Sequence, residues 1–356
     1  MSVVRVSGSH YECGLGLGRA AGEKVRRNLD YYLGWWERNL GLGKQQVYRW
    51  AEEVLGVSKE FDAGLVDELR GVADGAGIDL EAVAALNARY ELAWASKEQL
   101  LPSCTSLALL PRRTARGVTI LAQNWDYRVD VAPNCLLYVA EAEGEPSVCI
   151  HTEAGIIGHK GFNGAGLGVA VNALVSSGDH LGESVPFFLV CRKALASRGL
   201  DSALSTILEA RRCFSYNMVL AAPGVALDVE AYPGGASLLL PEEGALVHTN
   251  HFLGETPHED PFLHQHPNTV TRLVRAKELL GSRWLHSYRT VAQLLSDHQG
   301  LPTSICHHPE EAQPPDLRAA TLSSTIMVLE EGTMYYTEGS PCSSDYRRFQ
   351  LQSKPL

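Results

Sequence analysis

Hydrophobic positions recur with two different periods along the chain, and the change from one to the other falls at a single place. Up to residue 103 the spacing is helical after a short opening strand. Residues 61–76 set Phe61, Leu65, Leu69, Val72 and Ala76 on one face. The stretch 11–40 has the same character, with Gly14, Gly16 and Gly18 marking close backbone contact near its start. Asp79 suits the N-cap of a further helix over 80–99, which turns Val83, Leu86, Tyr90 and Trp94 inward. Trp35 and Trp36 are assigned to the core. From Cys104 the period becomes two, and strands are expected over 104–109, 118–126, 135–143 and 148–153. The glycine-rich run 156–174 reads as a hairpin, because 167–171 continues as strand where a phosphate loop requires a helix. Helices follow over 186–197 and 201–210, then strands over 217–222, 226–232 and 245–250. Two more helices cover 269–280 and 288–298, and a last hairpin pairs 323–329 with 334–337 about Glu331-Gly332. Hairpins flanked by helix pairs, without strand–helix–strand alternation, predict an α+β fold of two antiparallel sheets with helices outside.

Composition narrows the function. The net charge of −10 argues against a nucleic-acid partner, which requires a basic stripe. No apolar run is long enough to span a bilayer, so no membrane partner is expected. The first residues, Met1-Ser2-Val3-Val4-Arg5, lack the apolar core of a secretion signal, and cytoplasmic residence is the expectation. The cysteines at 13, 104, 135, 149, 191, 213, 306 and 342 show no paired motif spacing and read as buried thiols rather than a disulfide framework. His258, His264 and His266 cluster among prolines, and His307-His308 form a pair. Neither spacing matches a zinc signature, so no metal and no cofactor are expected.

The border itself carries the chemistry. Leu101-Pro102-Ser103 ends the helical part, and Cys104 opens the first strand of the second. Cleavage of Ser103–Cys104 would give Cys104 both a thiol and a free α-amine, with ordinary pKa values of about 8.5 and about 7.7–8.0. Such a residue contains its own nucleophile and base. Asp126 lies one hairpin later, within reach of that terminus, or it caps a strand end. Asn250 ends a predicted strand and is either an oxyanion donor or a turn residue. Arg318 follows a polar loop and is either a site residue or a surface cation. Two other readings stay open: an uncleaved cysteine amidase with His248 or His251 as base, and a binding protein whose glycine-rich hairpin only packs.

A set of short segments, in shared order, carries a resemblance. They are Tyr11-Glu12-Cys13-Gly14-Leu15-Gly16, Glu68-Leu69-Arg70-Gly71-Val72-Ala73, Leu86-Asn87-Ala88-Arg89, Cys104-Thr105 and Gln123-Asn124-Trp125-Asp126. Thr152-Glu153-Ala154-Gly155-Ile156-Ile157-Gly158, Gly161-Phe162-Asn163 and Val171-Asn172-Ala173-Leu174 follow. The last are Val247-His248-Thr249-Asn250-His251, Ser304-Ile305-Cys306 and Arg318-Ala319-Ala320-Thr321-Leu322. In these the chain resembles the acyl-coenzyme A:isopenicillin N acyltransferase family, autoproteolytic N-terminal-nucleophile hydrolases of peptidase family C45.

The resemblance implies an αββα four-layer sandwich, with two antiparallel sheets between helical layers. It implies a precursor, or zymogen, cut into an α chain (1–103) and a catalytic β chain (104–356) that together make one folded unit. Cys104 is then the nucleophile, Asp126 the carboxylate near the new terminus, Asn250 an oxyanion donor and Arg318 an active-site arginine. Asn172 and Tyr232 fall in the substrate pocket. The implied substrate is a small acyl-amide or acyl-thioester such as acyl-coenzyme A, and a higher oligomer is compatible with the family. The chain also departs from the penicillin-forming enzyme. Ser103 stands where that enzyme has glycine, Leu109 where it has a second cysteine, and Tyr232 where it has serine. Residues 353–356 do not spell the fungal peroxisomal tripeptide.

Overall fold

The computed structural model describes residues 1–94 and 103–351, with the side chain of Trp94 left aside. The end of the expected helix 80–99, Leu101-Pro102 and the final residues 352–356 lie outside the described residues. In chain order the elements are β1 (Ser2–Gly8), α1 (His10–Leu40), α2 (Lys44–Phe61), α3 (Ala63–Ala76), α4 (Leu80–Asn87) and α5 (Arg89–Trp94). Then come β2 (Cys104–Leu109), β3 (Ile120–Arg128), β4 (Cys135–Ala142), β5 (Val148–Glu153), β6 (Lys160–Asn163) and β7 (Gly168–Ala173). Helices α6 (Phe187–Leu195) and α7 (Leu200–Glu209) lead to β8 (Tyr216–Ala222), β9 (Val225–Tyr232), β10 (Gly235–Leu239) and β11 (Ala245–His248). The chain closes with α8 (Pro261–Gln265), α9 (Asn268–Gly281), α10 (Tyr288–Leu295), β12 (Ala319–Val328), β13 (Thr333–Tyr336) and β14 (Arg347–Gln350). Among the described residues, no helix is long and apolar enough to cross a membrane.

The chain forms two compact units, each built from residues on both sides of the Ser103–Cys104 bond. One unit takes residues 1–99, 133–165 and 179–214; the other takes 100–132, 166–178 and 215–356. In the first, helices cover a sheet in which β4, β5 and β6 run antiparallel and β1 lies parallel to β4, Ser2 opposite Leu136. That parallel edge departs from the all-antiparallel expectation. Ser9 caps α1 and shares a capping box with Glu12. Helices α1 and α3 touch backbone to backbone. A Cβ on Gly14 would sit 1.9 Å from the Glu68 carbonyl oxygen, and one on Gly71 2.1 Å from that of Tyr11. No larger residue fits at either place. Asp62 separates α2 from α3 by accepting the Leu65 N–H at 3.2 Å, so Phe61 closes one helix rather than opening the next.

Fully buried Arg192, on α6, locks this unit. It donates to both Glu68 carboxylate oxygens, at 3.2 and 3.1 Å, and to Glu145 at 3.0 Å. Tyr138 of β4 and His10 of α1 complete the shell around Glu68, at 3.0 and 2.8 Å. Pairing is the condition on which such charges are buried at all.

The second unit is a sandwich. Strands β7, β8, β9 and β10 follow one another as antiparallel neighbours. They face a sheet ordered β11-β2-β3-β12-β13-β14. The Gln123 side chain stitches the two, donating to the Val171 carbonyl at 2.6 Å and accepting the Val171 N–H at 2.9 Å. Helices α9 and α10 cover the far side through Leu273, Ala276, Leu280, Val291, Leu294 and Leu295, packed on Leu107, Leu109, Ile120 and Ala122. Strands β2 and β3 are therefore buried along their whole length. The fold is α+β with two sheets and helices outside them, as the periodicities predict.

Candidate active site

The residues described below around Cys104 lie in the second unit. Cys104 begins β2 opposite Trp125 of β3, an antiparallel pairing that brings Asp126 beside Ser103. The Asp126 N–H donates to the Ser103 carbonyl at 3.1 Å, and its carboxylate accepts the Ser103 hydroxyl at 3.0 Å. Thr321, across from Asp126 on β12, donates its hydroxyl to the other carboxylate oxygen at 2.6 Å. A bulge in β12 between Thr321 and Ser323 marks the spot. Thr321 also exchanges two bonds with His307, accepting the His307 N–H at 2.9 Å and donating its own N–H at 3.0 Å. That places the His307 ring 3.5 Å from the Ser103 hydroxyl.

On the other side of Cys104, the Asn250 Oδ1 accepts the Cys104 N–H at 2.7 Å, and Nδ2 donates to the Ala173 carbonyl at 3.0 Å. The Thr269 hydroxyl accepts the Asn250 N–H at 2.8 Å and so fixes the loop after β11. Cys104 and Asn250 are both buried.

The arginine at this site is Arg272. It projects from α9 and is 2 % exposed. One terminal nitrogen donates to the Cys104 carbonyl at 2.6 Å and to the Thr105 hydroxyl at 3.0 Å; the other donates to Asn250 Oδ1 at 2.9 Å. Burial lowers its pKa below the ordinary arginine value, with Asp126 opposing, and it remains a cation at neutral pH. Arg318 is not brought to Cys104. Its guanidinium donates to the carbonyls of Gln313 at 3.1 Å and Glu311 at 2.8 Å, in the loop before β12. Sequence reasoning missed Arg272 because the run 269–280 reads as an ordinary charged amphipathic helix. The available signal was a threonine-arginine step on the face that also carries Leu273 and Ala276.

Asn172 is buried on β7, where it accepts the Ser106 hydroxyl at 2.5 Å, and its Nδ2 has no partner among the described residues. Tyr232 ends β9 and is half-buried against Phe252 and His258. A cleft of about 70 Å³ opens beside Ser103 and is lined by Arg128, Phe262, Asn268 and His307. The two histidines weighed as bases are both engaged. His248 holds Glu230 at 2.8 Å through Nε2 and the Thr249 carbonyl at 2.9 Å through Nδ1. Burial pushes its pKa down, but Asp228 and Glu230 outweigh that and leave it above the ordinary value. His251 is tied through Nδ1 to the Thr269 hydroxyl at 2.9 Å, and burial pushes its pKa down to about 4.

Comparison with known proteins bears on the chain as a whole. The acyl-coenzyme A:6-aminopenicillanic acid acyl-transferase family matches residues 113–343. The 40 kDa form of the acyl-coenzyme A:6-aminopenicillanic-acid-acyltransferase of Emericella nidulans is 27% identical over 325 residues, 91% of this chain and 88% of that protein. Among solved structures, an N-acylethanolamine-hydrolyzing acid amidase ortholog of Caenorhabditis elegans aligns at TM-score 0.47 and 15% identity, covering 63% of this chain and 92% of that one. Penicillin V acylase of Agrobacterium tumefaciens aligns at TM-score 0.46 and 15% identity, covering 70% and 86%. With the family spanning most of the sequence, from the turn after β2 to the loop before β14, the chain belongs to the acyl-coenzyme A:6-aminopenicillanic acid acyl-transferase family of enzymes.

Proposed function

We propose that the chain is a self-cleaving cysteine amidohydrolase or acyltransferase that works through an acyl thioester on Cys104. One observation carries this reading: both polar atoms of the Ser103–Cys104 amide are pinned by fixed partners. Its carbonyl oxygen accepts the Asp126 N–H and its N–H donates to Asn250. A peptide held at both ends is oriented for attack by the adjacent thiol. In maturation Sγ adds to the Ser103 carbonyl, and the Asp126 N–H steadies the oxyanion. The C–N bond breaks, the nitrogen gains the thiol proton, and water hydrolyses the Ser103 thioester to a carboxylate and a free thiol.

The new α-amine stays in contact with Asn250 Oδ1. The nearby Arg272 cation disfavours the ammonium form, which keeps the amine able to accept the thiol proton near neutral pH. The acyl group of a small amide or thioester then passes to sulfur and on to water or an amine. The unpartnered Asn172 Nδ2 is the donor for its carbonyl, and Tyr232 borders the acyl pocket. The alternative with a histidine base is less favoured, since His248 has both ring nitrogens bonded elsewhere and His251 is tied through Nδ1 to Thr269.

Intact mass spectrometry is the test. Fresh wild type should resolve into 1–103 and 104–356, and Cys104→Ala should stay whole. Uncut wild type that turns over N-acyl amides would overturn the terminal-amine mechanism.

A further inference from the structure

We infer that the second unit holds a structural zinc ion between His298, Cys306, His308 and Cys342. These four side chains come from two segments: the loop after α10 supplies the first three, and the loop between β13 and β14 supplies Cys342. Each offers one ligand atom, and all four atoms lie within 4.8 Å of one another.

The three separations around His308 match a tetrahedral metal. With zinc–sulfur bonds near 2.3 Å and zinc–nitrogen bonds near 2.05 Å, tetrahedral angles place sulfur and nitrogen about 3.6 Å apart and two nitrogens about 3.3 Å apart. His308 Nε2 lies 3.6 Å from Cys306 Sγ, 3.5 Å from Cys342 Sγ and 3.1 Å from His298 Nε2. Two thiols and two imidazoles are a borderline-soft donor set, suited to zinc rather than to magnesium or calcium. Four protein ligands also fill the coordination shell, so the ion is structural and leaves no open position for water or substrate.

The ligand loops are held by bonds that need no metal. Arg275 grips Asp297, next to His298, through two bonds of 3.1 and 2.8 Å. The Cys306 N–H donates to the Asp297 carbonyl at 3.0 Å, and the His308 N–H to that of Pro302 at 2.8 Å. The Cys342 loop is tied to β12 through the Gly339 N–H and the Leu322 carbonyl at 2.9 Å. A preorganised site loses less freedom on binding and holds its ion more tightly. The ion would serve the catalytic region through His307. This residue sits between two ligands, touches Ser103 and brackets Thr321, which in turn holds Asp126. The spacing from His298 to Cys342 matches no short motif, so the site exists only once the loops have folded together.

The experiment uses full-length, tag-free protein. Elemental analysis should find about one zinc per chain, and cobalt exchange should give the thiolate charge-transfer and intense visible bands of a tetrahedral S2N2 site. His298→Gln and Cys342→Ser alter exposed residues, and each should weaken zinc affinity at least tenfold in a chelator competition. His264→Gln, on α8, should not. Chelation should lower the melting temperature of wild type but not of the double variant. Wild type that retains no more zinc than the double variant overturns the proposal. So does a Cys306–Cys342 disulfide whose reduction yields no zinc uptake.

Discussion

Asn250 turns its carbonyl oxygen, not its amide nitrogen, toward Cys104. The orientation is unambiguous because its two neighbours have fixed polarity: the Cys104 N–H can only donate and the Ala173 carbonyl can only accept. The residue expected to meet an oxyanion therefore holds the backbone nitrogen of Cys104.

This orientation separates two substitutions. Asn250→Asp keeps the acceptor for the Cys104 N–H and the existing bond from Arg272 at 2.9 Å, and loses the donation to the Ala173 carbonyl. Asn250→Leu removes the acceptor and should slow self-cleavage about tenfold to a hundredfold, the loss attached to a stranded buried donor. A mass-spectrometric time course should rank wild type, then Asp, then Leu. Asp proving as slow as Leu would return the amide nitrogen to the chemistry.

The two arginines separate as sharply. Arg272 spreads a planar fork over three acceptors, which a lysine cannot span. Arg272→Lys should cut kcat/KM at least about a hundredfold. Arg318→Lys, which changes only bonds to loop carbonyls, should stay within about threefold of wild type. Steady-state kinetics on matured protein measures both, and the reverse ranking would restore Arg318 to the site.

Ser103 would leave with the first fragment if the chain is cut as proposed. Ser103→Ala loses the bond to Asp126 and should slow maturation by about tenfold. Once matured, that variant should match wild type in kcat and KM. A lasting defect would mean that the first fragment still contributes to turnover.

A pH signature belongs to the first unit. Hydrogen bonds to Glu145 and Glu68 raise the His10 pKa from 6.5 to about 9. A raised histidine stabilises fully below its unfolded value, and the contribution fades as pH climbs through the folded value. His10→Gln should therefore cost about 2 kcal/mol at pH 6, allowing for solvent screening of a partly exposed pair, and almost nothing at pH 10. Denaturant titrations at the two pH values test this, and an unchanging gap would remove charge from the explanation.

The coarse architecture was readable because period and glycine placement have direct physical meaning. The change at Cys104, the long helix from His10 and the contact role of Gly14 and Gly18 all follow from sequence. The pairing that sets Asp126 beside Ser103 needed only one hairpin. Other features depended on distant partners. Helix α2 buries Val47, Ala51, Val54 and Val57 at helical spacing, a legible stripe hidden by the apolar run that starts at Phe61. Strands β10 and β14 are too short and too exposed to show an alternating pattern. The place of Arg272 was marked only by its step from a threonine on the apolar face of α9, since a buried cation and a solvated one look alike until the strands beneath are in position.

The parallel pairing of β1 with β4 bears on what a cut molecule would be. Residues 1–94 supply an edge strand and five helices to a unit whose other strands and helices come from beyond residue 132. Glu68, on one side of the cut, is neutralised by Arg192 on the other, and both are fully buried. Arg89 and Glu153 form a second such pair across it. Severing Ser103–Cys104 would thus create an obligate heterodimer whose partners co-purify and part only on denaturation. Unfolding of the uncut chain is unimolecular, whereas reassembly of the cut one would depend on concentration. Maturation would then act as a ratchet: the joined chain can fold on its own, and the severed pair inherits a structure it has no unimolecular route to rebuild.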